Sequence, residues 1–335
     1  MEVLIINQSE VAQLLPMYEA IDLMAGAFRT LARAEAQNPL RQVMWLPDRS
    51  GLLGMMPAHL ADIQSVGLKA ISVFPGNERS EYDSHQGVVL LFGTGHGRLR
   101  AIVDASAITA IRTAAVSGVA TILLARQEAE ELAILGSGVQ AQAHLEAMLV
   151  VRNIKRVRVW SRTLDHARSL AEVGRQHKNL EIEAVHSAQQ AVLNADIVCT
   201  ATAAKQPILY GDWLTPGVHV NAVGASDPSA RELDVEAVVR SRLYVDRMES
   251  TLHEAGCFLT AREEGALDDG HIQGEIGDLL LGRIRGRESA EEITLFKSLG
   301  LGVEDLAAAH HVYQKALKQN LGTWVELGGD RELGR

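Results

Sequence analysis

One short glycine pattern constrains the fold of this chain more than any other feature. The apolar run 132–135 leads into Gly136-Ser137-Gly138, and a helical stretch follows. A strand, a glycine turn and a helix with the pattern G-x-G-x-x-A are typical of a dinucleotide-binding βαβ unit. Gly136 permits the tight turn, Gly138 lets the backbone approach a pyrophosphate, and Ala141 lets helix and strand pack closely. The pattern therefore predicts dinucleotide phosphates at this helix N-terminus.

The rest of the chain supports this interpretation. Apolar runs predict further strands at 157–160, 180–185, 195–200, 218–222 and 243–246, with helical or turn segments between them. Strands that alternate with helices predict an α/β domain with a parallel, doubly wound Rossmann sheet. The first third mixes a helix at about 16–35 with strands at 42–45, 52–57, 66–74, 88–92 and 99–103. An amphipathic helix at 303–319 is expected to pack on that first region.

Charge and cysteine content narrow the function classes. Asp and Glu outnumber Lys and Arg by 42 to 32, which argues against a nucleic-acid or anionic-membrane binder. Two distant cysteines offer neither a disulfide framework nor zinc spacing, and the histidines form no metal pattern, so we expect no metal. Without a signal-peptide pattern, a cytoplasmic location is expected. The apolar stretch 105–125 contains Arg112, so we interpret it as a buried helix and not as a membrane span.

The end of the second predicted strand indicates which dinucleotide is bound. An NAD-binding unit usually has a carboxylate there for the ribose 2′-hydroxyl. This chain has Ser161-Arg162-Thr163 instead. Two hydroxyls and a guanidinium suit a 2′-phosphate, so NADP(H) is the predicted cofactor, with NAD(H) as the alternative if Arg162 is only a solvated surface residue.

Three cationic residues in apolar surroundings form a candidate anion site: Arg41, Lys69 and Arg112. A buried guanidinium must be paired, and arginine is suited to bidentate binding of a carboxylate. The structural alternative is an internal ion pair of Arg112 with Asp104 or Asp83. The residues alone leave both interpretations open.

Beyond these motifs, the chain resembles the ornithine cyclodeaminase/mu-crystallin family, and specifically its mu-crystallin-like reductase branch. The resemblance extends over nearly the whole chain. It is carried by the segments SHQG at 84–87, AIRTAA at 110–115, LGSGVQA at 135–141, VWSRT at 159–163, PILYGDW at 207–213, NAVGAS at 221–226 and FKSLG at 296–300.

The resemblance implies a homodimer and a particular domain arrangement. A substrate-binding and dimerisation domain of α+β type is expected at 1–125 plus 303–335, with the Rossmann domain inserted at 126–302. Family members hold the carboxylate of an amino or imino acid with residues like Arg41, Lys69 and Arg112. The residues assigned to the cofactor are Thr113, Gly136, Gly138, Val139, Gln140, Ser161, Arg162, Thr163, Thr202, Asn221, Ala222, Val223, Gly224 and Ser298.

Two departures distinguish the branches of the family. The cyclodeaminases carry a catalytic glutamate where this chain has Gly54, and a substrate-binding aspartate where it has Ser226. Asp227 is one position further on and is a catalytic candidate. Because it precedes Pro228, its side chain could equally stabilise a turn. The loss of two carboxylates argues against ornithine cyclisation and leaves hydride transfer intact.

The resulting hypothesis is reduction of the C=N bond of a small imino acid, such as pyrroline-2-carboxylate or piperideine-2-carboxylate. Arg41 and Arg112 would bind the carboxylate, and Lys69 would contact the substrate and relay a proton. His85 and Ser226 are further substrate-binding candidates. The alternatives are an alanine-type amino-acid dehydrogenase, an ornithine cyclodeaminase and a non-enzymatic NADP(H)-dependent small-ligand binder.

Overall fold

The computed structural model describes residues 2–177 and 180–329, with the backbone alone at 78 and 79. The strands are β1 Glu2–Ile6, β2 Ala36–Gln37, β3 Gln42–Trp45, β4 Leu52–Leu60, β5 Ser65–Val73, β6 His85–Gly93, β7 Leu99–Asp104, β8 Glu131–Leu135, β9 Arg156–Trp160, β10 Glu181–Ala184, β11 Ile197–Thr200, β12 His219–Ala222, β13 Arg242–Val245, β14 Ile272–Glu275, β15 Thr294–Lys297 and β16 Thr323–Glu326. The helices are α1 Gln8–Leu14, α2 Met17–Ala32, α3 Ala105–Leu124, α4 Val139–Val151, α5 Leu164–Gly174, α6 Ala188–Val192, α7 Val235–Val239, α8 Met248–Glu254, α9 Gly256–Glu263, α10 Ile276–Leu280 and α11 Gly302–Gln319. Short 3₁₀ helices lie at Pro75–Arg79, Gly211–Trp213 and Asp269–His271.

The chain forms two compact units. Unit 1 comprises Met1–Arg112 and Leu301–Arg335, and unit 2 comprises Thr113–Gly300. The sequence placed the functional boundaries at 125/126 and 302/303, and these stay a prediction. The compact units divide between 112 and 113, inside helix α3, and between 300 and 301, just before α11.

Unit 1 is a mixed sheet covered by helices. Its strands follow the order β16-β1-β7-β6-β5-β4, and both β2 and β3 pair with the outer side of β4. The strand pairs are antiparallel except β1 with β7. Helix α11 packs on β4, β5 and α2, which confirms the expected return of the C-terminal helix to the first region. Alternate residues of β5 face inward, and this periodicity places Lys69 in the buried layer.

Unit 2 is a parallel sheet in the order β10-β9-β8-β11-β12-β15-β13-β14. From β8 the chain builds outward through β9 and β10, then returns to the other side of β8 with β11 and β12. The reversal between β8 and β11 is the topological switch point, where open α/β sheets bind ligands beyond the carboxyl ends of the strands. The predicted Rossmann fold is confirmed.

Helix α3 is the apolar helix that raised the question of a membrane span. Its length and hydropathy would suffice to cross a bilayer, but 72% of its most apolar 18-residue stretch is buried inside the protein. Two arginines bind the carbonyl groups at its C-terminal end: Arg152 Nη2 donates to Thr121 O at 2.6 Å, and Arg287 Nε donates to Leu124 O at 2.7 Å. These charged donors bind carbonyl groups of the last turn and interact favourably with the negative end of the helix dipole, as in the core helix of a globular protein.

Candidate active site

The glycine loop of unit 2 has the geometry that phosphate binding requires. Gly136 follows β8 with φ of +130°, and a Cβ there would lie 2.3 Å from Ala201 O. Gly138 is the residue before α4, and a Cβ there would have no atom within 4 Å. Within the residues that the structure describes, no side chain caps this helix, and Val139 at its start is 64% exposed. The open approach over Gly138 and the exposed first turn at this helix N-terminus fit a dinucleotide pyrophosphate.

The residues predicted to select the dinucleotide lie at the end of β9. Ser161 Oγ accepts a hydrogen bond from Ser137 Oγ at 2.9 Å, which joins this end of β9 to the glycine loop. Arg162 and Thr163 are exposed. The position that a carboxylate would occupy in an NAD-binding unit therefore presents hydroxyls and a guanidinium.

The second group of predicted cofactor residues follows three neighbouring strands. Thr202 comes after β11, 221–224 ends β12, and Ser298 comes after β15. The hydroxyl of Ser298 is buried and makes no hydrogen bond within the described part of the chain. An unsatisfied hydroxyl at this edge fits a polar group of a bound dinucleotide.

The side chain of Asn221 is buried in unit 2, and its predicted cofactor role stays a prediction. Its amide donates to Thr121 Oγ1 at 3.0 Å and contacts Cys199 Sγ, so it packs in the core of unit 2. Thr113, the first residue of unit 2, is 7% exposed, and its cofactor role stays a prediction.

The predicted anion site of unit 1 is a buried cluster of four charges. Lys69 and Arg112 are 3% and 4% exposed. Arg112 Nη1 lies 2.6 Å from Glu304 Oε2, and its Nε lies 3.0 Å from Asp305 Oδ1. Lys69 Nζ lies 2.8 Å from Asp305 Oδ2. The guanidinium nitrogen Nη2 takes part in neither ion pair.

The structural alternative holds for Arg112, whereas the binding of a substrate carboxylate by the three cations stays a prediction. Arg112 is paired internally, as a buried guanidinium must be, but the suggested partners were wrong. Asp104 Oδ1 instead accepts from Ala107 N at 2.8 Å at the start of α3, and Asp83 Oδ1 accepts from His85 N at 3.3 Å. Glu304 and Asp305 could not be recognised as these partners from the sequence, because two acidic residues in a first helical turn are ordinary helix-dipole partners.

Burial and neighbouring charges set the protonation of this cluster. Burial lowers the pKa of Lys69 to about 8, with Asp305 opposing this shift and Arg112 and Arg41 adding to it. Burial alone would lower the pKa of Arg112, but Asp305 and Glu304 raise it above its usual value. Arg112 is thus a permanent cation, whereas Lys69 can release a proton near neutral pH.

Arg41 and His85 lie within electrostatic reach of Lys69. Arg41 precedes β3, is partly exposed and lowers the pKa of Lys69. His85 begins β6, and its Nδ1 lies 2.9 Å from Ser84 Oγ. Partial desolvation lowers the pKa of His85, Asp83 opposes the shift, and Lys69 adds to it. The structure thus brings together four of the predicted substrate residues.

The fifth predicted substrate residue, Ser226, and the catalytic candidate Asp227 belong to unit 2. Ser226 is exposed. Asp227 Oδ1 accepts from Ser229 N at 2.8 Å and from the hydroxyl of the same serine, which is the turn-stabilising alternative. A catalytic role for Asp227 stays a prediction.

Gly54 occupies the inward face of β4, opposite Ile71 of β5. A Cβ at Gly54 would meet Ile71 Cγ2 at 3.5 Å, which is ordinary van der Waals contact. Packing therefore does not require glycine at this position. Compared with the cyclodeaminase pattern, this chain lacks a carboxylate at position 54. This position lies on the sheet face that also carries Lys69.

Comparisons with known proteins agree with this architecture. A sequence profile described as "Ornithine cyclodeaminase/mu-crystallin family" matches residues 1–320. The chain belongs to this family. The ketimine reductase mu-crystallin of Mus musculus is 41% identical over 276 residues, which are 82% of this chain and 84% of the mouse protein.

Two solved structures align over nearly the whole chain. The Thermococcus litoralis Δ1-pyrroline-2-carboxylate reductase, in complex with NADH and L-proline, aligns with a TM-score of 0.94 and 37% identity over 96% of this chain and 99% of that one. An archaeal alanine dehydrogenase dimer with bound NAD aligns with a TM-score of 0.93 and 32% identity over 98% and 100% of the two chains. Within the described residues of this family member, no group of His, Cys, Asp or Glu could hold a metal ion.

Proposed function

We propose that this protein is an NAD(P)H-dependent reductase of small imino acids, with cyclic ketimine carboxylates as its substrate class. The observation that carries the proposal is the buried cluster in which Arg112 is fixed by Glu304 and Asp305 beside Lys69. The family relatives named ketimine reductase and pyrroline-2-carboxylate reductase support this activity. When bound, the nicotinamide supplies the hydride.

The residues of unit 1 would bind the substrate and manage the proton. The two ion pairs hold the guanidinium of Arg112 rigid, and together with Arg41 it would bind the substrate carboxylate. The ammonium of Lys69 would donate a hydrogen bond and then the proton that the reduced nitrogen takes up. Reduction consumes one imino acid, one NAD(P)H and one proton, and yields one amino acid and one NAD(P)⁺.

The absence of two carboxylates favours reduction over cyclodeamination. Gly54 and Ser226 offer no acid or base where the cyclodeaminase pattern has glutamate and aspartate. The alanine dehydrogenase relative favours a second candidate, because oxidation of an amino acid would use the same residues in reverse.

A spectrophotometric assay tests the proposal. NADPH and NADH oxidation is measured with pyrroline-2-carboxylate, piperideine-2-carboxylate, and pyruvate with ammonia or methylamine. Rapid oxidation with a cyclic ketimine supports the proposal. Oxidation with pyruvate and ammonia alone favours the dehydrogenase, ammonia release from ornithine favours the cyclodeaminase, and binding without turnover favours a small-ligand binder.

A proton donated by Lys69 predicts a specific pH dependence. Because the pKa of Lys69 is about 8, the protonated donor is lost as the pH rises through that value. We expect kcat/KM to fall about tenfold per pH unit above the pKa in the wild type. In Lys69→Arg the rate is low and the break is absent, since arginine stays protonated. A break that persists in this variant on the same substrate would show that the substrate titrates instead.

We propose NADP(H) as the preferred cofactor, because Ser161 and Arg162 follow β9 at the position where an NAD-binding unit has a carboxylate. Such a carboxylate would exclude a 2′-phosphate. Arg162→Ala should weaken NADPH binding by about tenfold and leave NADH binding within about twofold. Binding titrations with both dinucleotides measure this difference. Equal losses for the two dinucleotides would contradict a role for Arg162 in 2′-phosphate recognition.

The quaternary state and the compartment are further proposals. The alanine dehydrogenase described as a dimer supports a homodimer, as does the exposure of Val43, Met44 and Trp45 on β3. Light scattering of the purified protein would test this.

Both cysteines are buried free thiols, which supports a reducing compartment such as the cytoplasm.

A further inference from the structure

A single buried carboxylate connects the loops that follow β11 and β12. Glu232 is 2% exposed. Its Oε1 accepts from the backbone N–H and the hydroxyl of Thr202, at 2.6 and 2.7 Å. Its Oε2 accepts from Gly224 N and from Thr200 Oγ1, both at 2.7 Å. The carboxylate thus fixes one backbone amide on each loop.

The two loops lie too close together for a side chain to separate them. A Cβ on Gly224 would lie 2.2 Å from Thr202 O and 2.5 Å from Glu232 Oε1. The loop after β12 is also held from its carbonyl side, because the buried Lys297 Nζ donates to Ala225 O at 2.5 Å and to Ala222 O at 3.3 Å. Amide and carbonyl groups of the same short loop are therefore bound by opposite charges.

These loops belong to one half of the dinucleotide fold. The glycine loop follows β8 on one side of the switch point, and β11 and β12 lie on the other. A Rossmann sheet binds one mononucleotide of the dinucleotide with each half. The glycine loop is assigned to the pyrophosphate, and the end of β9 is assigned to the adenosine ribose. The loops after β11 and β12 are therefore expected to bind the nicotinamide half. The side chain of Asn221 faces the core, so the backbone of these loops must make the contacts.

We propose that Glu232 is the positioning residue for the nicotinamide half of the cofactor. It contacts no reacting atom and acts through Thr202 and Gly224. The inference rests on the proposed function, since it requires a nicotinamide dinucleotide as the ligand. Glu232 fixes the shape of the second half-site, whereas the adenosine half depends on the glycine loop and the end of β9.

Glutamine cannot replace Glu232 at this position. Each carboxylate oxygen accepts a backbone N–H, from Thr202 on one side and from Gly224 on the other. A glutamine amide has one acceptor oxygen and one NH₂ group, so either orientation directs a donor at a backbone donor. Threonine hydroxyls can rotate to accept, but a backbone N–H cannot. One loop must therefore move in Glu232→Gln.

The experiment compares two ligands on each variant by calorimetric titration. NADPH occupies both halves of the site, whereas ADP-ribose 2′-phosphate lacks the nicotinamide. In Glu232→Gln we expect the Kd for NADPH to rise about tenfold or more and the Kd for ADP-ribose 2′-phosphate to stay within about twofold. Thr200→Val, which removes one hydroxyl donor without changing shape, should show the same selectivity with a smaller loss.

The matched control is Asp196→Asn. Asp196 Oδ2 also accepts two backbone amides, from Glu130 at 2.8 Å and Glu131 at 3.0 Å, but at the amino end of β8. We expect Asp196→Asn to lower the thermal stability of the protein and to change the Kd values of the two ligands by the same factor, if at all. If Glu232→Gln and Thr200→Val weaken both ligands equally or neither, the inference is wrong. If the wild type binds neither NADPH nor NADH, the proposed function itself fails.

Discussion

Replacing Arg112 by alanine is expected to lower kcat/KM for imine reduction by about 10³-fold, with the Kd for NADPH unchanged. The guanidinium would provide the fixed positive charge for the substrate carboxylate, whereas the groups predicted to bind the cofactor lie in unit 2. Steady-state kinetics and dinucleotide titration measure the two quantities. A loss of NADPH affinity as the main effect would contradict the assigned role.

The same substitution should also destabilise the fold, because it leaves Glu304 and Asp305 with less compensation for their buried charge. Removing one partner of a buried ion pair costs about 3–5 kcal/mol in the free energy of unfolding. The double variant Arg112→Met with Glu304→Gln removes one charge of each sign and keeps the pair of Lys69 with Asp305. It should recover much of the stability while activity stays lost, which separates folding from substrate binding.

The second large effect is expected at the glycine loop. Gly136→Ala places a Cβ 2.3 Å from Ala201 O at a φ of +130°. The strained backbone and the clash should cost about 1–3 kcal/mol or more in stability and weaken NADPH binding by about 10²-fold. Thermal unfolding and dinucleotide titration measure both changes.

Gly138→Ala is the matched variant for this prediction. Its φ of −82° suits any residue, and its Cβ would meet no atom within 4 Å. We therefore expect unchanged stability but weaker NADPH binding, because the methyl group occupies the approach of the pyrophosphate. Normal NADPH affinity in this variant would show that the phosphates bind elsewhere.

The Rossmann fold was predictable because its strands follow a simple physical rule. Central parallel strands are buried on both faces, so β8, β11 and β12 appear as short apolar runs. The strand β15 was missed because its four residues end in Lys297, whose buried ammonium is satisfied by carbonyl groups from the loop after β12. The strand β14 was missed because Gly274 interrupts it at a positive φ.

The candidate site was predictable in its cations but not in their partners. Lys69 and Arg112 stand out because charges are rare in apolar segments. The partners Glu304 and Asp305 lie about 190 residues further along the chain from Arg112, and only the packing of α11 on the sheet of unit 1 brings them there. Glu232 escaped notice for the same reason, because its four donors come from the end of β11 and from the loops after β11 and β12, which meet only in the folded sheet.

The most direct test of the central claim is the fate of the transferred hydrogen. The protein is incubated with NADPH deuterated at C4 on one face or the other and with pyrroline-2-carboxylate, and the product is examined by mass spectrometry and NMR. We predict proline that carries one deuterium at C2 from one of the two labelled cofactors and none from the other. Undeuterated proline from both, or no proline beside ammonia release from ornithine, would contradict direct hydride transfer to the imine carbon.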